Sequence, residues 1–444
     1  MPDLSGEVAE LLQGMIRNAC VNDGTSESGF ERRNADLLKS VLDQPGVDLE
    51  VHEPLPGRSS LVARIEGSDR SAPSLMLLGH TDVVPANPDD WTRDPFGGEI
   101  VDGEVWGRGA IDMLNLTASM AVAVRHLAQS GFTPRGDLVF VGVADEEALG
   151  HLGAGWLTEH LADHVKTDYL ITEAGGFPMQ SPDGVRLPVL TGEKGVFWCS
   201  MIIRGTPGHG SQPLRTDSAL VKAATVVQRL ANYAVPAEIH DAWRRFVEGI
   251  GLPAEIAEPM LDPAKIDAFC RDFPALGLAR QAHACTHTTI APTILHGGTK
   301  VNVIPDRAEL QLDIRALPGW GTSDVDAMLR DALGDMYPDV EIIWHSSDPA
   351  SVSPTDTPLW DALERVAQQS YAGARCVPFL SVGATDARFF RKLGTTAYGF
   401  GLFSTRLTFE DYAVMFHGID ERVDIESLGL SAQLWNGLAL DLLT

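Results

Sequence analysis

Three short apolar runs, each ending in residues that can hold a metal or a proton, constrain this chain more than any other feature. Ser74-Leu75-Met76-Leu77-Leu78-Gly79 leads into His80-Thr81-Asp82, residues 137–143 lead into Asp145-Glu146-Glu147, and residues 168–172 lead into Glu173. Continuous apolar runs of this length suit strands buried on both faces. Helical patterns occupy 6–20, 113–129 and 153–164. Strand, helix, strand, helix, strand predicts an α/β domain with a mixed, mostly parallel sheet flanked by helices. In such sheets ligands bind outside the carboxyl ends of the strands. One His and several carboxylates therefore share a rim. Asp112, where the loop 107–111 enters a helix, can reach the same rim.

The middle of the chain changes character. Strands are predicted at 195–204, 286–295, 307–317 and 340–345. Helices are predicted at 214–232, with Leu220, Ala224, Val227 and Leu230 on one stripe, and at 323–334, with Ser323 as N-cap. At 307–317 Ala308, Leu310, Leu312 and Ile314 alternate with charged and polar residues, so that strand has one wet face. The order β-α-β-β-α-β is that of a ferredoxin-like α+β unit. A Pro-punctuated, mostly helical insertion at about 234–285 interrupts it. The reading is a discontinuous main domain, 1–192 and 351–444, with a smaller domain, 193–350, inserted into it.

Charge removes several function classes. With 34 Lys+Arg against 61 Asp+Glu, the formal net charge of −27 disfavours nucleic acid and anionic membrane surfaces as partners. No run approaches the ~18 apolar residues of a membrane span. The five cysteines are scattered without a CxxC pair, the usage of a reducing compartment, so a cytoplasmic protein is expected. No P-loop, dinucleotide fingerprint or Gly-x-Ser-x-Gly elbow is present. His283, Cys285 and His287 read as a structural turn, and His160 and His164 as surface residues.

The rim residues have a chemical logic. A ligating imidazole usually donates its other N–H to a carboxylate, a duty for which Asp82 stands two residues beyond His80. Adjacent Glu146 and Glu147 divide labour naturally, one holding a cation and the other a proton.

Longer motifs then become specific. Gly79-His80-Thr81-Asp82-Val83-Val84-Pro85, Trp106-Gly107-Arg108-Gly109-Ala110-Ile111-Asp112-Met113, Asp145-Glu146-Glu147, Arg204-Gly205-Thr206-Pro207-Gly208-His209-Gly210-Ser211, Val301-Asn302-Val303-Ile304-Pro305, Asp313-Ile314-Arg315 and His417-Gly418-Ile419-Asp420-Glu421-Arg422 resemble, in order, the signature blocks of the M20 metallopeptidase family. The resemblance implies a zinc-peptidase-like catalytic domain with a lid. It implies two Zn²⁺, replaceable by Co²⁺ or Mn²⁺, bridged by Asp112. One would be held by His80 and Glu173, the other by Glu147 and His417. Glu146 would be the general base and Asp82 the partner of His80. The inserted domain would be a lid carrying a homodimer contact, with His209 stabilising the oxyanion, often from the partner subunit. Asn302 and Arg315 would hold the substrate, and Gly383 and Thr385 lie in a loop resembling the one that closes the pocket. The implied reaction is hydrolysis of an amide in a dipeptide or N-acyl amino acid with a free carboxylate. The alternatives are an N-acyl amino acid deacylase of narrow specificity and a non-catalytic carboxylate-binding member of the fold. Leu114 and Ala384 depart from residues common in the family, a lysine and a hydroxyl residue.

Overall fold

The three apolar runs become neighbours in space. The computed structural model describes residues 2–444, and within them Leu75–His80 lies parallel between Leu138–Val143 and Tyr169–Thr172. Thr396–Gly399 continues the parallel centre, and antiparallel strands complete a ten-stranded sheet among the described residues. Every residue of Leu75–His80 and of Leu138–Val143 is buried. Their side chains alternate between two cores, as the period of a strand requires. Leu75, Leu77, Leu138 and Phe140 face the helices Ser5–Arg17, Leu114–Gln129 and Ile425–Leu443. Met76, Leu78, Val139 and Val141 face Ala154, Leu157, Phe389 and Phe390 on the other side. Each fully buried side chain of this size contributes about 1.5–3 kcal/mol. The helix predicted over 153–164 is two pieces, Ala154–His160 and Ala162–Val165.

The inserted domain is a four-stranded antiparallel sheet in the order Thr289–Gly297, Arg307–Ala316, Gly195–Arg204, Val340–Asp348. Its helices Ala219–Asn232 and Thr322–Leu333 cover one face, as in a ferredoxin-like unit. Two local expectations are corrected. The buried stripe of the first helix is Ala219, Ala223, Val226 and Leu230, and Leu220 is 43% exposed. The second helix starts at Thr322 after Gly321, whose N–H donates to Asp324 Oδ2 at 2.8 Å, so Ser323 is not the cap.

The 234–285 insertion folds away from the lid core. From its helices Trp243, Phe246, Val247, Met260 and Ile266 pack together against Val377 of the main-sheet strand Arg375–Ser381. At Glu193-Lys194 the chain passes from Gly184–Glu193 of the ten-stranded sheet to Gly195–Arg204 of the four-stranded one. Glu193 accepts from Arg391 and Ser351 at 2.8 Å each. Lys194 is buried and donates to the carbonyls of Ala284 and His287 at 2.8 and 2.7 Å; burial pushes its pKa down to about 7. Among the described residues no helix is long and apolar enough to cross a membrane.

Candidate metal centre

The carboxyl ends of the three central strands deliver His80, the Asp145-Glu146-Glu147 turn and Glu173 to one rim. Two further segments reach it from elsewhere. Asp112 arrives on the loop after Trp106, held from below by Glu421, which is fully buried. Its carboxylate accepts from the backbone N–H groups of Gly109, Ile111 and Asp112 at 3.0, 2.6 and 2.8 Å, and from Arg108 at 3.0 Å. His417 follows the helix Phe409–Met415 in a left-handed conformation, φ 56°. A Cβ at the next residue, Gly418, would lie 2.1 Å from the Val414 carbonyl, so the turn needs that glycine. Because Glu421 belongs to the same segment as His417, it couples the two loops.

The side chains converge around one carboxylate. Asp112 Oδ1 lies 3.1 Å from His80 Nε2, and Asp112 Oδ2 lies 3.0 Å from His417 Nε2. Glu173 Oε2 is 3.7 Å from His80 Nε2, and Glu147 Oε2 is 3.1 Å from His417 Nε2. Two groups result, His80–Asp112–Glu173 and Asp112–Glu147–His417, each with ligand atoms within 4.8 Å of one another. His80 Nδ1 donates to the Asp82 carbonyl at 3.0 Å, which turns Nε2 toward the two carboxylates. Imidazole and carboxylate donors aimed at common points are the donor set of a first-row divalent cation, so the residues fit the implied metals.

Electrostatics point the same way. Burial pushes Glu147 up to about 7, with the Asp112 charge adding to it, and pushes Glu146 and Glu173 above the ordinary carboxylate range. Burial acts downward on His80, but its bonds to Asp112 and Glu173 outweigh it and leave its pKa well above the usual value. Asp112 and Glu147 hold His417 up to about 10. Asp112 goes the other way, because the two histidines hold its carboxyl below the ordinary range despite burial. The glutamates and histidines thus favour their protonated forms, and a divalent cation would displace those protons.

Asp82 is corrected in part. Its carboxylate stands 3.7 Å from His80 Nδ1, farther than its own carbonyl. That carboxylate instead accepts the backbone N–H groups of Glu146 and Glu147 at 3.3 and 3.2 Å. An extended His-x-Asp spacing cannot distinguish these partners; the approach of the 145–147 turn decides.

The lid residues form a separate group. His209 pairs with Val303 in a short ladder, and Gly210 donates to the Asn302 carbonyl at 2.8 Å, so His209 and Asn302 share one exposed corner. The His209 ring bonds Ser211 Oγ at 2.7 Å, and among the described residues no bond links it to the rim. Arg315 lies on the wet face of its strand, in a two-point pair with Asp313 at 2.7 and 3.2 Å and above the Trp198 ring. Thr385 is buried and its hydroxyl donates to Glu193 at 2.8 Å, so that hydrogen is committed within the protein. Gly383 donates its N–H to Ser381 Oγ at 3.1 Å. Beside them Asp386 is buried with neither carboxylate oxygen bonded. Sequence reasoning assigned no role to Glu421, although it stands inside the quoted 417–422 motif, or to Asp386, which directly follows Thr385.

The chain is similar to known proteins in both sequence and fold. The profile of peptidase family M20/M25/M40 matches residues 76–441. The chain is 30% identical over 444 residues to the N-fatty-acyl-amino acid synthase/hydrolase PM20D1 of Xenopus tropicalis, covering 97% of this chain and 84% of the relative. It is 27% identical to the succinyl-diaminopimelate desuccinylase of Maricaulis maris (strain MCS10), covering 96% and 95%. Its fold is similar to that of the M20 family metallo-carboxypeptidase Sso-CP2 from Sulfolobus solfataricus, with a TM-score of 0.74 at 17% identity over 100% and 99% of the two chains.

Proposed function

Because this chain belongs to peptidase family M20/M25/M40, we propose that it hydrolyses the amide bond of an N-acyl amino acid or dipeptide bearing a free carboxylate, with two divalent cations. The observation that carries this reading is Asp112, one carboxylate with an oxygen against each of two histidines. His80, Asp112 and Glu173 would hold one cation, and Asp112, Glu147 and His417 the other. Bound there, the pair would acidify a water and polarise the scissile carbonyl. Zn²⁺ suits the donors best, and Co²⁺ or Mn²⁺ can replace it.

The chain's own residues do the rest. Glu146 adjoins Glu147, and among the described residues its carboxylate has no hydrogen-bond or ion-pair partner, while its backbone N–H is tied to Asp82. It is therefore free to take a proton from water and deliver it to the leaving amine. Arg315 spends Nε and Nη2 on Asp313 and keeps Nη1 for the substrate carboxylate. Asn302 and the loop at Gly383 and Thr385 would line the pocket. An apolar acyl group is favoured over a second amino acid by the likeness to the N-fatty-acyl-amino acid synthase/hydrolase PM20D1 of Xenopus tropicalis. The experiment is a panel of dipeptides and N-acyl amino acids of increasing chain length, each with its carboxylate free or amidated, in added Zn²⁺. Turnover confined to free carboxylates and rising with acyl length is expected; equal cleavage of amidated analogues would defeat the carboxylate assignment.

His209 has a further place in this reading. It is exposed and remote in bonding from the rim, and the same lid exposes Leu220, Val221, Leu295, Val301 and Val303. We read this apolar strip as the contact of a homodimer in which each lid offers His209 to the partner's rim. Mixing inactive His209→Ala and Glu146→Gln chains should then regenerate turnover, since one intact site forms in each mixed dimer. Absence of regeneration, with both chains shown to exchange, would put His209 to work in its own chain or nowhere.

A further inference from the structure

We propose that Arg58 is a positioning residue that fixes the turn carrying Glu146 and Glu147, an assignment that rests on the roles given to those two residues above. The turn itself has little to hold it. Glu146–Ala148 is a single 3-10 turn that contributes no residue to a hydrophobic core, so apolar packing does not set its place. It begins at Asp145, whose backbone is left-handed at φ 75°. A non-glycine residue in that region is strained and persists only when its surroundings hold it.

Those surroundings are a buried polar cluster beneath the rim. Arg58, Glu31, Asp145, Asn22 and Asp82 are each no more than 4% exposed. Arg58 grips Glu31 at two points, 2.8 and 2.7 Å, and the same Nη2 reaches Asp145 Oδ1 at 2.7 Å. Glu31 also accepts the backbone N–H of Asp145 at 3.2 Å. The other Asp145 oxygen accepts from Leu152 N at 2.9 Å, closing the far side of the turn. Asn22 donates to Asp82 at 2.8 Å and to Asp145 at 3.4 Å. Asp82 in turn receives the N–H groups of Glu146 and Glu147. The chain of contacts therefore runs without a gap from Arg58 to the backbone of both functional carboxylates.

Charge makes Arg58 the keystone. Its charge is permanent, and it stands among three buried carboxylates, Glu31, Asp145 and Asp82. Its planar fork bonds two of them at once, which the point charge of a lysine cannot reproduce. Buried ion pairs are a poor source of net stability, since desolvation offsets the attraction. The structural consequence of this one is the pose of the turn. The backbone also runs close against the pair at Gly29, where a Cβ would lie 2.6 Å from Glu31 Oε1 and 2.7 Å from Arg58 Nε.

The test compares Arg58→Lys, Arg58→Met and the charge-relieved pair Arg58→Met/Glu31→Gln. Each is read by thermal midpoint, by the kcat against KM split, and by titration of the metal-free protein with Zn²⁺ and with Co²⁺, whose visible spectrum reports ligand geometry. Arg58→Met/Glu31→Gln is expected to recover midpoint lost by Arg58→Met and yet keep kcat about 10–100-fold low, with KM little moved and one cation bound about 10–100-fold more weakly. Arg58→Lys should fall between wild type and Arg58→Met. A folded Arg58→Met/Glu31→Gln with wild-type kcat and wild-type Zn²⁺ titration would overturn the proposal. If no Arg58 variant folds, Asn22→Ser cuts the Asp82–Asp145 bridge with the ion pairs intact, and the same losses or their absence decide. Failure of the wild type to cleave any amide would sink the functional reading alone, because the Zn²⁺ titrations still test the positioning role.

Discussion

Glu146→Gln is expected to lower kcat about 10²–10⁴-fold, the usual contribution of a positioned general base. The substitution keeps the shape of the side chain and removes only its capacity to carry a proton. Glu146 lies outside both ligand groups, so metal content should be unchanged. Its anchoring bond to Asp82 comes from the backbone N–H and survives as well. Steady-state kinetics beside elemental analysis separates the two quantities. A variant with two cations per chain and wild-type turnover would remove Glu146 from the reaction.

The second large effect belongs to Asp112. An asparagine there offers one acceptor oxygen and one N–H₂ donor where the carboxylate offers two acceptors. It can serve His80's side or His417's side of the centre, but not both. Loss of at least one cation per chain is expected, with turnover down roughly 10³-fold or more. That follows because a metal supplies several kcal/mol of transition-state charge stabilisation and each 1.36 kcal/mol is a decade in rate. Chelation of the wild type should produce the same inactivity, reversed by Zn²⁺. It should also lower the thermal midpoint, since a ligand at 100 times its Kd stabilises the folded state by about 2.7 kcal/mol. Added Zn²⁺ should raise the midpoint of metal-free wild type and raise that of Asp112→Asn less. Full activity after chelation, or two tightly held cations in Asp112→Asn, would contradict the centre as described.

The contrast between His80 and Asp82 indicates what linear spacing can carry. That His80, Glu146, Glu147 and Glu173 meet was legible because each follows a continuous apolar run. Such runs become adjacent parallel strands, and parallel strands send their carboxyl ends to one side. Asp112 was within reach of that rim from the loop that enters its helix, whereas His417 comes from a segment far away in the chain, and only its likeness to a family motif brought it to the same place. The direction of the Asp82 carboxylate was not legible, because it answers to a turn more than sixty residues away. The same holds for the Ala219–Asn232 helix. Its mix of Ala, Val and Leu admits two stripes one position apart, and contact with the lid sheet selects the one that leaves Leu220 outside.

Local pattern was therefore enough for the mixed, mostly parallel α/β sheet with its flanking helices, for the wet and dry faces of the Arg307–Ala316 strand and for the rim on which chemistry collects. These depend on periodicity and burial, which are properties of neighbouring residues. The docking of the helical insertion on the main sheet, the grip of Glu421 on the Asp112 loop and the Arg58 cluster under Glu146 depend on groups brought together across the whole chain. A buried carboxylate has no preference for one distant N–H over another until packing has removed water and left a single donor within reach.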